Sequence, residues 1–422
     1  MSSVSAICFT FAFALISTAF RKRADVFAPY RVFGTAWLTA IGLADLKYSF
    51  FQREWSTYAW LVIFVGVCST LLGFLIVSIV FMDRPILSLS EQRKLILKQK
   101  INGDVLYKTV IVLSILYAIA FVAEVIIAGG VPAFAAKPDR ARVDFGFFGT
   151  HLIVTSVPAI LFLGTEYMVF CWKESKRSRK FFLILAYAAV FLSFSLLLVR
   201  FLYVMWAVPT LCLLYYGTTR LKFRQVGISV LGFFGFLQII RSIRIVGYVE
   251  NYSYVIARMR FPKTYAIFSE PYMYIVMNLE NFARSVDRWT SFTYGYFTFD
   301  FLMAMTGLKH PLAKEYDLVE RPFLISGYNT FSFLMPFYQD FGILGVAFIP
   351  LCIGICVGYI YHSMRRHPTI GNITLYSFAA YFLLISFFNH ALGMLLVFVN
   401  MSLLIYVHYI LLARDRTTNA LA

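Results

Sequence analysis

Charge is scarce in this chain: of 422 residues only 14% are charged against 60% hydrophobic, and the mean hydropathy is +0.74. So little polar surface cannot coat a water-soluble fold of this size, which excludes a soluble enzyme and leaves an all-α integral membrane protein. Cysteine is sparse as well. Cys8, Cys68, Cys171, Cys212, Cys352 and Cys356 all fall in or at the ends of apolar runs, so no disulfide framework is expected. Cys352 and Cys356 share a helix face but lack histidine or carboxylate partners, and read as packing residues; no metal and no cofactor is expected. No internal repeat is evident, which counts against a transporter built from two related halves. Basic residues are missing ahead of the first apolar run and three follow it. That is the flank of an outward-facing amino terminus rather than of a cleaved signal peptide.

Long apolar runs are present throughout. The expected spans are about 4–20, 32–50, 57–81, 109–128, 150–171, 181–199, 201–218, 226–246, 343–363, 371–391 and 393–411, about 11 transmembrane helices in one polytopic domain covering 1–422. Residues 247–342, between helices eight and nine, form a large extracytoplasmic loop. The basic residues orient the chain. Of 38 lysines and arginines, 22 fall in alternate gaps that carry only six acids, so those gaps are cytoplasmic. The formal charge of +17 is largely this topological signal and no argument for nucleic acid. The amino terminus is then periplasmic and the carboxyl terminus cytoplasmic.

The other 16 basic residues lie outside, where topology gives them no purpose, so anion binding is the natural cause. Lys137, Arg140 and Arg142 sit in one outer loop, Arg200 at an outer helix tip, and ten more between Arg241 and Arg321. The stretch from Arg241 to Asp340 is nearly neutral overall, ten basic against nine acidic, and holds 23 aromatic residues. Its positive character is local: Arg241, Arg244, Arg258, Arg260 and Lys263 face only Glu250. Guanidinium groups bind phosphate through forked hydrogen bonds, and aromatic faces suit sugars or lipid chains. The bland alternatives are headgroup contact and solvated loop charge.

Candidates for proton transfer on that side are numerous. His390 stands at the outer end of helix ten, where an ionisable group is a functional candidate, with a hydrogen-bonded structural histidine as its alternative. Asp340-Phe341-Gly342 spells the magnesium-binding triplet of protein kinases, but the glycine-rich loop, strand lysine and catalytic loop are absent. A helix start is the better reading, with Asp340 capping, Gly342 relaxing the backbone and Gly345 packing closely.

Gly129-Gly130-Val131-Pro132 before an arginine-bearing outer loop, an arginine between central helices, and Tyr328-Asn-Thr-Phe ahead of Tyr338-Gln-Asp-Phe-Gly-Ile-Leu-Gly345 resemble the Wzy family of O-antigen polymerases. Some members carry an arginine and a glycine separated by ten residues. Arg284 and Gly295 have that spacing; the earlier outer loop lacks it, with His151 at the position counted from Arg140 and Ile153 from Arg142. The resemblance implies a GT-C-like fold in the bacterial inner membrane. It implies a glycosyltransferase that polymerises undecaprenyl-diphosphate-linked oligosaccharide at the periplasmic face, in O-antigen or related surface polysaccharide biosynthesis. Donor and acceptor would both be lipid-linked, and a chain-length regulator is a possible partner. Substrate binding then falls to Arg140, Arg142, Arg200, Arg241, Arg244, Arg258 and Arg284. For the base, the order is His390, Asp340, then Asp287. O-antigen ligase or another lipid-linked glycosyltransferase is one alternative, and a lipid-linked glycan flippase is the non-enzymatic one.

Overall fold

The computed structural model describes residues 2–218, 252–316 and 327–412 except 20, 22, 23, 85, 100 and 148, together with 228, 232, 235, 236, 324 and 325. It is all-helical; among the described residues there is no strand, only an isolated bridge between Ser49 and Met259. The helices are α1 (Ser3–Ala19), α2 (Pro29–Asp45), α3 (Thr57–Val80), α4 (Leu89–Leu97), α5 (Gly103–Ala128), α6 (Pro138–Asp144), α7 (Thr150–Val154), α8 (Val157–Phe170) and α9 (Arg177–Ser195). They continue as α10 (Arg200–Gly217), α11 (Tyr252–Ile256), α12 (Ser269–Arg288), α13 (Asp300–Thr306), α14 (Lys309–Glu315), α15 (Leu334–Arg366), α16 (Ile370–Ile385) and α17 (Leu395–Tyr406). Among the described residues, five stretches are long and apolar enough to cross a membrane: Thr57–Val80, Gly103–Phe134, Thr150–Phe170, Arg177–Ser195 and Leu334–Arg366. The expected span 226–246 lies outside the described residues.

Helix boundaries follow local chemistry. Ser56 opens α3 by accepting from Ala59 N at 3.0 Å, and Asn102 opens α5 six residues ahead of the expected span by accepting from Asp104 N and Val105 N at 2.9 and 3.1 Å. Gly129 closes α5 at φ +73, a conformation glycine adopts without cost. The single helix expected over 150–171 is broken after Val154. Pro158 lacks an amide hydrogen and its ring would press on the carbonyl four residues back, so α7 stops there and α8 restarts. Helix α15 begins nine residues before the expected 343, and is divided internally by Gly342 at φ +62 and ψ −150. Helix α16 ends at Ile385, so His390 stands in the connection to α17.

The chain forms two compact units. The first comprises Met1–Leu87, Val249–Arg366 and Ala379–Phe398. Its tightest helix pair is α3 against α15. A Cβ built at Gly73 would stand 2.5 Å from Leu351 O, and one at Gly354 would stand 2.3 Å from Thr70 O, so the two backbones touch where both chains have no side chain. An aromatic core follows from Phe33, Trp37, Phe74 and Phe333, and Trp37 Nε1 donates to Ser386 Oγ at 2.8 Å. At the other end of α15, buried Arg365 reaches Asp25 Oδ2 at 2.5 Å and Leu87 O at 2.7 Å.

The second unit comprises Ser88–Tyr248, His367–Phe378 and Val399–Ala422. Asn400 bridges the broken ends of α7 and α8, donating to Thr155 O at 3.1 Å and accepting from Ala159 N at 3.0 Å. Buried Glu166 accepts from Thr374 Oγ1 at 2.7 Å and faces His408 Nε2 at 3.1 Å, beside the π-helical turn Val407–Leu411.

The described part of 247–342 holds the 20-residue helix α12, whose apolar face packs on α2 and α3. Pro271 falls in the first turn, where its missing amide hydrogen costs nothing.

Candidate functional site

In the first unit, the segment following α2 pairs with the segment following α11. Phe50 N donates to Arg258 O at 3.0 Å, Arg260 N to Tyr48 O at 2.7 Å, and Ser49 Oγ to Ala257 O at 2.5 Å. This pairing holds Arg258, itself at φ +47, with its guanidinium 5.9 Å from the Phe51 ring centre, and Arg260 4.5 Å from that of Phe50. Both arginines are exposed.

Helix α12 supplies the other half. Glu280, Arg284 and Asp287 follow at spacings of four and three, which puts them along one helix face. Glu280 is fully buried, yet it is well partnered: Trp55 Nε1 donates to Oε2 at 2.7 Å and Arg284 Nε to Oε1 at 3.1 Å, with Arg53 Nε 3.8 Å from Oε1. Arg284 Nη2 donates to Phe51 O at 2.8 Å. Asp287 accepts from Arg53 Nη2 and from Ser56 Oγ, both at 2.6 Å. Two guanidinium groups are thus held by two carboxylates, and each keeps N–H groups with no acceptor among the described residues. Asn281 fixes the neighbouring loop, donating to Tyr328 O and Thr330 O at 2.8 and 2.9 Å, and Phe51 lies 6.3 Å from Tyr328 ring to ring. Burial pushes the Tyr272 and Tyr328 hydroxyls up to about 12, so both remain neutral hydrogen-bonding groups.

Asp340 and His390 meet at the loop 293–298 of the same unit. Asp340 does not cap the helix that follows it. Its buried carboxylate accepts from Thr293 Oγ1 at 2.5 Å, Phe297 N at 3.2 Å and Thr298 N at 2.6 Å. The chain can turn away directly afterwards because Gly342 has no side chain; a Cβ there would stand 3.0 Å from Phe292. His390 Nε2 lies 3.4 Å from Thr298 O, and since a carbonyl only accepts, Nε2 carries the proton. Nδ1 is buried with no partner among the described residues. Burial pushes the imidazole down to about 4, so it is neutral near pH 7.

Three of the remaining arginines belong to the second unit. Arg140 and Arg142 lie on α6 of the second unit, 3.8 Å from Asp144 and 3.7 Å from Asp139, and Arg200 opens α10 of that unit. Arg241 and Arg244 lie outside the described residues. Sequence reasoning put Arg258 and Arg284 forward for substrate binding and Asp287 as a base, kept Glu280 only among many proton-transfer candidates, and singled out neither Arg53 nor Trp55. Arg53 was legible as an outside cation without topological purpose; nothing in the sequence marks Trp55. Among the described residues no group of three or more histidine, cysteine and acidic side chains is disposed to hold a metal ion.

Helices long and apolar enough to cross a membrane, with Arg53 and Arg284 held half-buried by Glu280 and Asp287, define a helical membrane protein with a candidate anion site. A family model described as "Putative O-antigen polymerase" matches residues 7–387, and the chain belongs to that family. Membership implies a glycosyltransferase-like polymerase that works in a membrane on lipid-linked oligosaccharide. No curated protein and no solved structure matches the chain.

Proposed function

We propose that this protein polymerises undecaprenyl-diphosphate-linked repeat units into O-antigen or a related surface polysaccharide at the periplasmic face of the inner membrane, on a GT-C-like frame of about 11 helices. The observation that carries this reading is the Arg53–Glu280–Arg284–Asp287 network with Arg258 beside it. A diphosphate leaving group gathers negative charge as the glycosidic bond breaks, and cations held in place beforehand stabilise that charge more in the transition state than in the ground state. Buried Glu280 supplies the holding: it orients one guanidinium directly and lies beside the second. Arg241, Arg244, Arg140, Arg142 and Arg200 are proposed as further contacts for lipid-linked anions. Asp287 positions Arg53, while Asp340 and His390 keep the loop 293–298 in place beside it.

The test is reconstitution of the purified protein with lipid-diphosphate-linked repeat units and no ion gradient. The expected result is a ladder of lengthened glycans, reduced roughly 10- to 100-fold in initial rate by Arg284→Ala or Arg53→Ala, as the loss of a hydrogen bond to charge predicts. Glycan that crosses the bilayer without lengthening would make the protein a flippase. Transfer only to a lipid A core acceptor would make it a ligase.

A further inference from the structure

Within the first unit, the far end of α3 carries a feature that the proposed site does not use. Helix α3 runs for 24 residues, about 36 Å at 1.5 Å per residue, from Ser56 beside Asp287 to Phe81. At the Phe81 end, α3 and α15 leave between them an open groove of about 480 Å³. Ile76 and Val80 on α3 face Ile355 and Tyr359 on α15 across it, each pair one helical turn apart. Phe81 lines it too and meets the Tyr359 ring edge-on, 5.9 Å between centres. No charged residue belongs to the lining, and Val80 and Tyr359 are 68% and 56% exposed. In a bilayer such a surface meets acyl chains.

Charge is confined to one rim of the groove. Arg84, three residues beyond Phe81, and Arg366, the last residue of α15, bring their guanidinium groups to 5.8 and 5.5 Å from the centre of the Phe81 ring. His362 stacks on the same ring at 5.3 Å. The neighbouring Arg365 is engaged by Asp25, Tyr361 and Leu87 O. Arg84 and Arg366, by contrast, have no carboxylate partner among the described residues, and Asp83 beside them is exposed and forms no ion pair there either. Two guanidinium groups from different helices thus converge on one ring, and each keeps a planar set of donors suited to phosphate oxygens. Paired cations at the head of an apolar groove complement an amphiphile with an anionic head. A free anion would leave the groove unused, and a zwitterionic head would bring a second cation to the two already there.

We infer that this end of α3 and α15 binds an anionic phospholipid, with its phosphodiester at Arg84 and Arg366 and one acyl chain in the groove along Cys356. Such a site needs only that the two helices cross a bilayer, and it does not depend on the polymerase reading.

The test is native mass spectrometry of the purified full-length protein in mixed micelles with phosphatidylglycerol or phosphatidylcholine of matched chains, read as the apparent affinity for the first bound lipid. Phosphatidylglycerol is expected to bind about tenfold more tightly than phosphatidylcholine. Arg84→Gln combined with Arg366→Gln is expected to bring that preference down to about twofold or less, while Arg366→Lys, which keeps the charge without the fork, loses roughly threefold. Cys356→Phe fills the groove without touching either cation. It is expected to weaken phosphatidylglycerol about fivefold while melting like the parent protein, and it keeps the test decisive should the double variant not fold. Soluble glycerol phosphate, the head without the chains, is expected not to displace the bound lipid. Equal affinity of the parent protein for the two lipids would overturn the inference, as would a preference that survives the double substitution. Displacement by glycerol phosphate would make this a site for free anions, and unchanged affinity in Cys356→Phe would remove the groove from it; either result defeats the lipid assignment.

Discussion

At the scale of single residues, the membrane setting makes every buried charge conspicuous, and the structure separates those held for packing from those left open. Glu280, Asp340 and Glu124 are all buried carboxylates. The first is partnered by side chains that also face outward, the second largely by backbone amides, the third by the imidazole of His151. Sequence alone had Asp340 and His390 ahead of Glu280, because a carboxylate beside glycine and a lone histidine at a helix end are visible in a string, whereas a glutamate bonded to a tryptophan 225 positions away is not. His390 carries a pH signature. Its folded pKa, about 4, lies below the ordinary 6.5, so between those values the unfolded chain binds more protons than the folded one. Stability is therefore full above pH 6.5 and lost as pH falls towards 4, by up to about 3 kcal/mol. His390→Gln keeps a donor for Thr298 O and removes the titration. Melting curves in detergent from pH 7 to pH 4 are expected to fall less steeply for this variant than for the parent protein; parallel curves would show that another group sets the acid sensitivity.

At the scale of elements, glycine spacing decides how closely helices approach. Gly354 and Gly358 stand one turn apart on α15, yet they face different neighbours: backbone oxygen at 2.3 Å for Gly354, the Val77 side chain at 3.2 Å for Gly358. A graded result follows. Gly354→Ala must push α3 and α15 apart and is expected to cost about 1–3 kcal/mol or more, while Gly358→Ala needs only a small shift of one valine and is expected to cost less than half as much. Thermal midpoints of the purified variants measure the order, and equal midpoints would mean that the crossing is not a close one. The helices themselves were legible because 20-odd residues without charge have one stable form in hydrocarbon. Their breaks were not. The interruption before α8 depends on one proline, and that inside α15 on one glycine at positive φ, signals too local to alter an apolar run. Helix α12 does not read as a span for the opposite reason: it is amphipathic with near-even polarity, so it has the period of a helix and none of the apolarity of a span.

At the scale of the whole molecule, the distribution of lysine and arginine predicts orientation. A reporter fused after Ala422 is expected to be active only in the cytoplasm, and a cysteine added ahead of Ser3 to react with a thiol reagent that cannot cross the inner membrane; an unreactive cysteine would reverse the topology. The sequence by itself determined that this is a helical membrane protein with long apolar stretches able to cross a bilayer, since hydropathy acts along the chain and needs no fold to be counted. Only the tertiary structure decided which cations lie together. Arg53, Arg258 and Arg284 are far apart in sequence and converge on Phe51 and Glu280 because α12 docks on α2 and α3. A guanidinium site depends on distances of a few ångströms in space, which spacing along the chain does not encode.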